Sequence, residues 1–160
     1  MAKVDPQQAL KPSILDRLID AGTAGTAARR GYSFEQAEDA VRRDLEDLLN
    51  TRQTNSDLSE DYVELHRSIV TYGLPDLTSL QTFTPQQRQQ IGRVLEAIIT
   101  RFEPRLRDVR ATMKDAGDTG SQTVRFRIDA RLCLDPAPSV AFDTILEVMT
   151  GHYTVRPSEQ

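Results

Sequence analysis

The apolar residues of this chain change their spacing once, at Glu103-Pro104-Arg105. Before that point Ile91, Val94, Leu95, Ile98 and Ile99 recur three and four residues apart. After it Val109, Ala111 and Met113 recur at every second residue. A helix shows one face about every 3.6 residues and a strand every 2, so the chain must leave a helix and enter a sheet at this junction. Proline lacks an amide hydrogen and pushes the preceding residue out of helical angles, which predicts a helix end near Phe102. Glu103 and Arg105 then sit at a rigid corner, and their side chains are expected to point outward. Such a corner suits recognition of another protein better than solution chemistry.

Upstream of the junction the signals are helical. Ser13 can cap a short amphipathic segment through Asp20, with Ile14, Leu15, Leu18 and Ile19 on one face. Small residues from Ala21 to Gly31 read as a flexible connector. Ser33 and Gln36 form a capping box ahead of Phe34, Ala37, Val41, Leu45, Leu48 and Leu49, which predicts a helix to about Asn50. Leu58, Val63, Leu65, Ile69 and Val70 predict a shorter third helix that stops before Tyr72-Gly73-Leu74-Pro75. Thr84, Pro85 and Gln87 carry the start signals of the helix that ends at the corner.

Downstream the alternation is clean. Past the turn at 115–120, Val124, Phe126, Ile128, Ala130, Leu132 and Leu134 take one face, and Arg125, Arg127, Asp129 and Arg131 the other. Pro136 and Pro138 separate this strand from Val140, Phe142, Thr144 and Leu146. Thr150-Gly151 then turns into a last strand around Tyr153 and Val155. Helices followed by a meander specify an α+β fold, with the N-terminal helices packed on one face of a C-terminal antiparallel sheet of three to four strands. The expected organisation is a flexible segment over 1–12, one domain over 13–156 and a flexible tail over 157–160.

Composition narrows the function. The 160 residues carry 20 basic and 24 acidic side chains, a net charge of −4, mixed along the chain. Nucleic-acid binding ordinarily shows a basic surplus or stripe, so it is not expected. No apolar run approaches the ~20 residues that span a bilayer, so membrane insertion is not expected either. One cysteine, Cys133, fits a reducing, cytoplasmic setting. His66, His152 and Cys133 lie apart, without metal-ligand spacing, and neither a nucleophile elbow nor a phosphate loop is present. No cofactor is implied. A glycosidase needs two carboxylates at a set separation, and none of the acids is singled out; Asp44, Glu46 and Asp47 read as a solvated helix face. Two readings of Arg125, Arg127 and Arg131, with Arg107 and Arg110 nearby, stay open. They form a wet sheet face that discourages edge aggregation, or a docking surface for an acidic partner.

Four stretches in order carry a resemblance: Ser13 to Leu18 (SILDRL), Leu45 to Arg52 (LEDLLNTR), Ser68 to Leu77 (SIVTYGLPDL) and Phe102 to Leu106 (FEPRL). Together they resemble the TssE family, small baseplate subunits of the bacterial type VI secretion system, similar in turn to "lysozyme-like" wedge proteins of contractile-phage baseplates. The resemblance spans about residues 13 to 156. It implies a non-enzymatic assembly protein whose Glu103, Pro104 and Arg105 dock on a core of TssF and TssG, with TssK in the same wedge. It further implies that the strands of residues 107–156 template the first ring of TssB–TssC sheath by strand addition, at the cytoplasmic face of the inner membrane. Strand addition needs an open edge guarded against self-pairing, a task suited to Pro136, Pro138 and the charged strand face. The alternatives are a peptidoglycan-cleaving glycosidase and a generic cytoplasmic adaptor. At the corner two arrangements stay open: Arg105 grips a partner carboxylate, or it folds back on Glu103 and holds the junction.

Overall fold

Ser33 starts the first helix. Its hydroxyl accepts from the Gln36 amide at 3.2 Å, while the Gln36 side chain accepts from the Ser33 amide at 2.9 Å, closing the capping box. Helix α1 (Phe34–Asn50) buries Val41, Leu45, Leu48 and Leu49 on its apolar face. The computed structural model describes residues 33–53, 58–59, 61–75, 85–114, 123–133, 137–147 and 150–158. The expected segment at Ser13–Asp20, the connector at 21–31, the cap at Thr84, the turn at 115–120, Leu134 and Pro136 lie outside these residues.

Helix α2 (Pro85–Phe102) ends where Pro104 requires. The Glu103 amide makes the last helical bond, to Ile99 O at 2.8 Å, and Leu106 N–H closes the turn on Glu103 O at 3.1 Å. Ile91, Leu95, Ile98 and Ile99 are buried. Gly92 faces the first strand so closely that a Cβ there would lie 3.0 Å from Ala111 O.

The sheet is a four-stranded antiparallel meander in the order β1-β2-β3-β4. Its strands are β1 (Leu106–Lys114), β2 (Thr123–Leu132), β3 (Ser139–Glu147) and β4 (His152–Pro157). Phe126, Ile128 and Phe142 are fully buried against the helices, and Arg125, Arg127, Asp129 and Arg131 take the opposite face. Each large apolar side chain buried in this way stabilises the fold by about 1.5–3 kcal/mol. The arrangement is α+β. β4 continues through Pro157, beyond the expected domain end at 156, and Ser158 N–H donates to Ala141 O at 2.9 Å. A bulge sets Asp108 and Val109 against Ala130 alone, with Asp108 at φ 54°.

The third helix expected over 58–70 is not an α-helix. Two 3-10 turns stand there, Leu65–Arg67 and Ile69–Thr71, divided by Ser68 in an extended conformation. The hydroxyl of Ser68 donates to Leu65 O at 2.8 Å and accepts from Val70 N–H at 3.3 Å, offering the backbone an alternative to a continuous helix. Of the apolar residues that suggested a buried face, Val63, Leu65 and Ile69 are exposed, Ile69 at 87%, and Leu58 and Val70 are only half-buried. This segment is tied down at its end instead. Leu74 bridges Arg52 in parallel, with Leu74 N–H to Thr51 O and Gln53 N–H to Leu74 O both at 2.8 Å.

Two substitutions test this packing. Gly73 holds φ 102°, and a Cβ there would fall 2.3 Å from Thr51 O. Gly73→Ala is expected to cost about 2 kcal/mol or more, read as a lowered urea midpoint. The Tyr153 hydroxyl is buried with no hydrogen-bond partner among the described residues, and burial pushes it up to about 12. A folded value above the unfolded one makes this group's contribution full below pH ~10 and lost as pH rises toward ~12, by about 1 kcal/mol per pH unit. Tyr153→Phe should match wild type within about 1 kcal/mol at pH 7 and lose less stability between pH 10 and 12 in urea titrations. An identical alkaline profile in both proteins would refute the assignment.

Candidate docking corner and arginine face

At the corner the side chains fold inward. Glu103 is only 5% exposed, which corrects the expectation that it points outward. Its Oε1 accepts from Arg105 Nε at 2.7 Å and from the Arg105 amide at 3.1 Å, and its Oε2 accepts from Arg105 Nη2 at 2.5 Å. The same Nη2 donates to Asp44 Oδ2 on α1. Arg43 Nε lies 3.7 Å from Asp44 Oδ1 and extends the network outward. The physical reason is direct. A carboxylate at the end of α2 and inside the turn loses its water, and the planar guanidinium two residues on matches it with two parallel bonds. Hydrogen bonding to Glu103, above all, raises the Arg105 pKa above its ordinary value, so this guanidinium stays charged.

The corner therefore joins three elements. Pro104 stands exposed at its tip, and Arg105 remains 38% exposed at the side chain beside it. Tyr72, from the segment anchored to Arg52, packs edge-on against Phe102 with ring centres 5.3 Å apart. Burial raises the Tyr72 hydroxyl pKa first, and Asp47, Asp44 and Glu103 raise it further. Asp44 was legible in sequence only as one acid of a solvated helix face. Its bond to Arg105 crosses 61 residues, and no local pattern signals it.

The arginines of β2 lie on the outer face, as their alternation requires. Arg125 stands between Lys114 and Ile145, Arg127 between Thr112 and Asp143, and Arg131 between Arg107 and Ser139. Arg127 Nε reaches Asp129 Oδ1 at 2.9 Å, and Arg131 Nη1 lies 4.0 Å from Asp108 Oδ2. Arg110, Arg127 and Arg131 line an open depression on this face together with the small residues Ser139 and Ala141. Lys114 Nζ donates to Asp143 at 2.7 Å and, as the largest influence, lowers that carboxyl below its usual range. The corner and this face meet where β1 pairs with β2: Cys133 N–H donates to Arg105 O at 2.8 Å, and Arg107 stands opposite Arg131.

The asymmetry of the corner predicts an order of stabilities. Arg105→Ala strands a buried carboxylate and is expected to cost about 2–3 kcal/mol, below the full value for a buried pair because Arg105 is partly solvated. Glu103→Ala leaves Arg105 with Asp44 and water and should cost less, and Asp44→Ala about 1 kcal/mol or less. Urea midpoints rank the three, and an Arg105→Ala protein as stable as wild type would rule out a structural role for the pair.

Curated protein sequences gave no match. One solved chain shares the fold, from a structure described as the baseplate complex from the type VI secretion system. It is 21% identical over 69% of this chain and 94% of that one, with a TM-score of 0.50. A family model described as baseplate wedge protein gp25 matches residues 35–137, from the first turn of α1 to the approach of β3. That match takes in both described α-helices, the Glu103-Pro104-Arg105 corner and the β1–β2 pair over more than half of the chain, and the protein belongs to the baseplate wedge protein gp25 family.

Proposed function

We propose that this protein is a non-enzymatic structural subunit of a type VI secretion baseplate. In this reading it docks on the TssF–TssG core of the wedge beside TssK and starts polymerisation of the TssB–TssC sheath by strand addition. Membership of the wedge family carries the proposal, and the likeness of fold to a chain of a type VI baseplate complex supports it. The docking element is the corner of Glu103, Pro104 and Arg105, continued by the outer face of Arg125, Arg127 and Arg131. Glu103 serves from within: it holds Arg105 in one orientation, and Arg105 with exposed Pro104 presents the surface. A guanidinium already fixed by two bonds loses little further freedom on meeting a partner carboxylate. The sheet face adds cations from separate strands, a pattern that steers an acidic partner and fixes its register more than it adds affinity. In the cell the assembled protein would sit in the cytoplasm at the inner membrane.

Co-expression with TssF and TssG, followed by pull-down, tests the reading. Wild type should co-purify. A double charge reversal, Arg125→Glu with Arg131→Glu, should leave the circular dichroism spectrum unchanged and reduce recovery of the core at least tenfold. Arg105→Lys keeps a cation near Glu103 but loses the bidentate fork, and should weaken recovery more than it weakens stability. Failure of wild type to bind either the core or the sheath subunits would overturn the proposal. Sustained clearing of a peptidoglycan suspension by the purified protein would favour a glycosidase instead.

A further inference from the structure

A sheet with four strands has two outer edges, and helices reach both of them. On β1, the Ala111 N–H donates to Glu96 Oε1 of α2 at 2.9 Å. Ala111 O lies hard against Gly92, where even a Cβ would come within 3.0 Å. The backbone of α2 thus occupies the space a fifth strand would need, about 4.8 Å from β1. Ile91, Leu95, Ile98 and Ile99, all buried, hold it there. That edge is walled.

The β4 edge is closed differently. The side-chain amide of Asn50, the last residue of α1, accepts from the Tyr153 N–H and donates to the Tyr153 C=O, both at 2.9 Å. A primary amide placed this way supplies the donor and acceptor of a neighbouring strand's peptide group. Because both backbone groups of Tyr153 turn to Asn50, the outward-facing positions of β4 are Tyr153, Val155 and Pro157. Arg42 Nη1 covers Val155 O at 3.5 Å while also bound to Glu46 at 3.2 Å, so it does not depend on that carbonyl. Pro157 has no N–H to offer. Among the described residues, the hydrogen bonds to this edge come from side chains, one of them long, whereas β1 meets both the Glu96 side chain and the helix backbone at Gly92.

We infer that Asn50 is a latch on the β4 edge, and that β4 is the strand which accepts an extended backbone segment of a partner subunit once the latch is released. The inference rests on the strand-addition reading above and names the edge that carries it. An incoming strand replaces the Asn50 bonds one for one, so the exchange requires the end of α1 to yield and no loss of sheet pairing. In the free protein the latch fills the groups that would otherwise template edge-to-edge pairing with a second copy.

The test uses the purified full chain and no baseplate component, so its failure is separable from failure of the family role. Hydrogen exchange in wild type should show the Tyr153 amide protected and the protein monomeric by light scattering. In Asn50→Ala the Tyr153 amide should exchange at least tenfold faster at low concentration. At high concentration the variant should dimerise reversibly, with the Tyr153 and Val155 amides protected again by β4–β4 pairing. Asn50→Asp, which keeps the acceptor and loses the donor, should show the same behaviour at intermediate strength. Glu96→Ala should stay monomeric, because α2 still blocks β1. Undiminished Tyr153 protection in Asn50→Ala would overturn the latch. A variant that stays monomeric, or that associates without protecting Tyr153 and Val155, would overturn β4 as the accepting strand.

Discussion

The fold turns on a buried carboxylate at the place where α2 becomes β1. Pro104 forces the chain out of the helix, and the turn that follows carries Glu103 out of water. An isolated carboxylate in that position would be costly, and the guanidinium of Arg105 removes the cost by meeting both oxygens. Asp44 then draws α1 to the same point. One residue ending a helix, one acid buried by the turn and one base that must follow it together fix how α1, α2 and the sheet join.

This arrangement answers the question left open at the corner in a particular way. Arg105 does fold back on Glu103, so the pair holds the junction. It also leaves a charged, partly exposed guanidinium beside Pro104, fixed in one orientation. Holding and presenting are compatible here because the bonds to Glu103 use one edge of the guanidinium and orient the rest. The adjoining sheet face extends the surface, since β1 leaves the corner directly into register with the arginine-bearing β2.

The two sheet edges show a related economy. Under the proposed strand addition, the protein would have to avoid receiving a strand too early, above all from its own copies. Here neither edge is left bare at its centre: α2 lies against Ala111, and Asn50 imitates a peptide opposite Tyr153. Asn50 belongs to the same helix end whose Thr51 and Arg52 pin the segment ending in Leu74, so the last turn of α1 serves the edge and the segment at once.

Much of this was legible in the sequence, for local reasons. The capping box at Ser33 and Gln36, the stop at Phe102 and the strict alternation through Arg125–Arg131 depend on neighbours a few residues apart, and the structure carries each as read. The segment around Ser68 misled because its apolar spacing fits a helix, while a hydroxyl bonding the nearby backbone and the tie to Thr51 decided otherwise. By itself the sequence determined the order of helices and strands and which face of each strand is wet, because periodicity and proline act within a few residues. Only the tertiary structure decided that Glu103 is buried, that Asp44 is its distant partner through Arg105, and that Asn50 closes β4. Those depend on which elements meet across the fold, and no local pattern of residues encodes such a meeting.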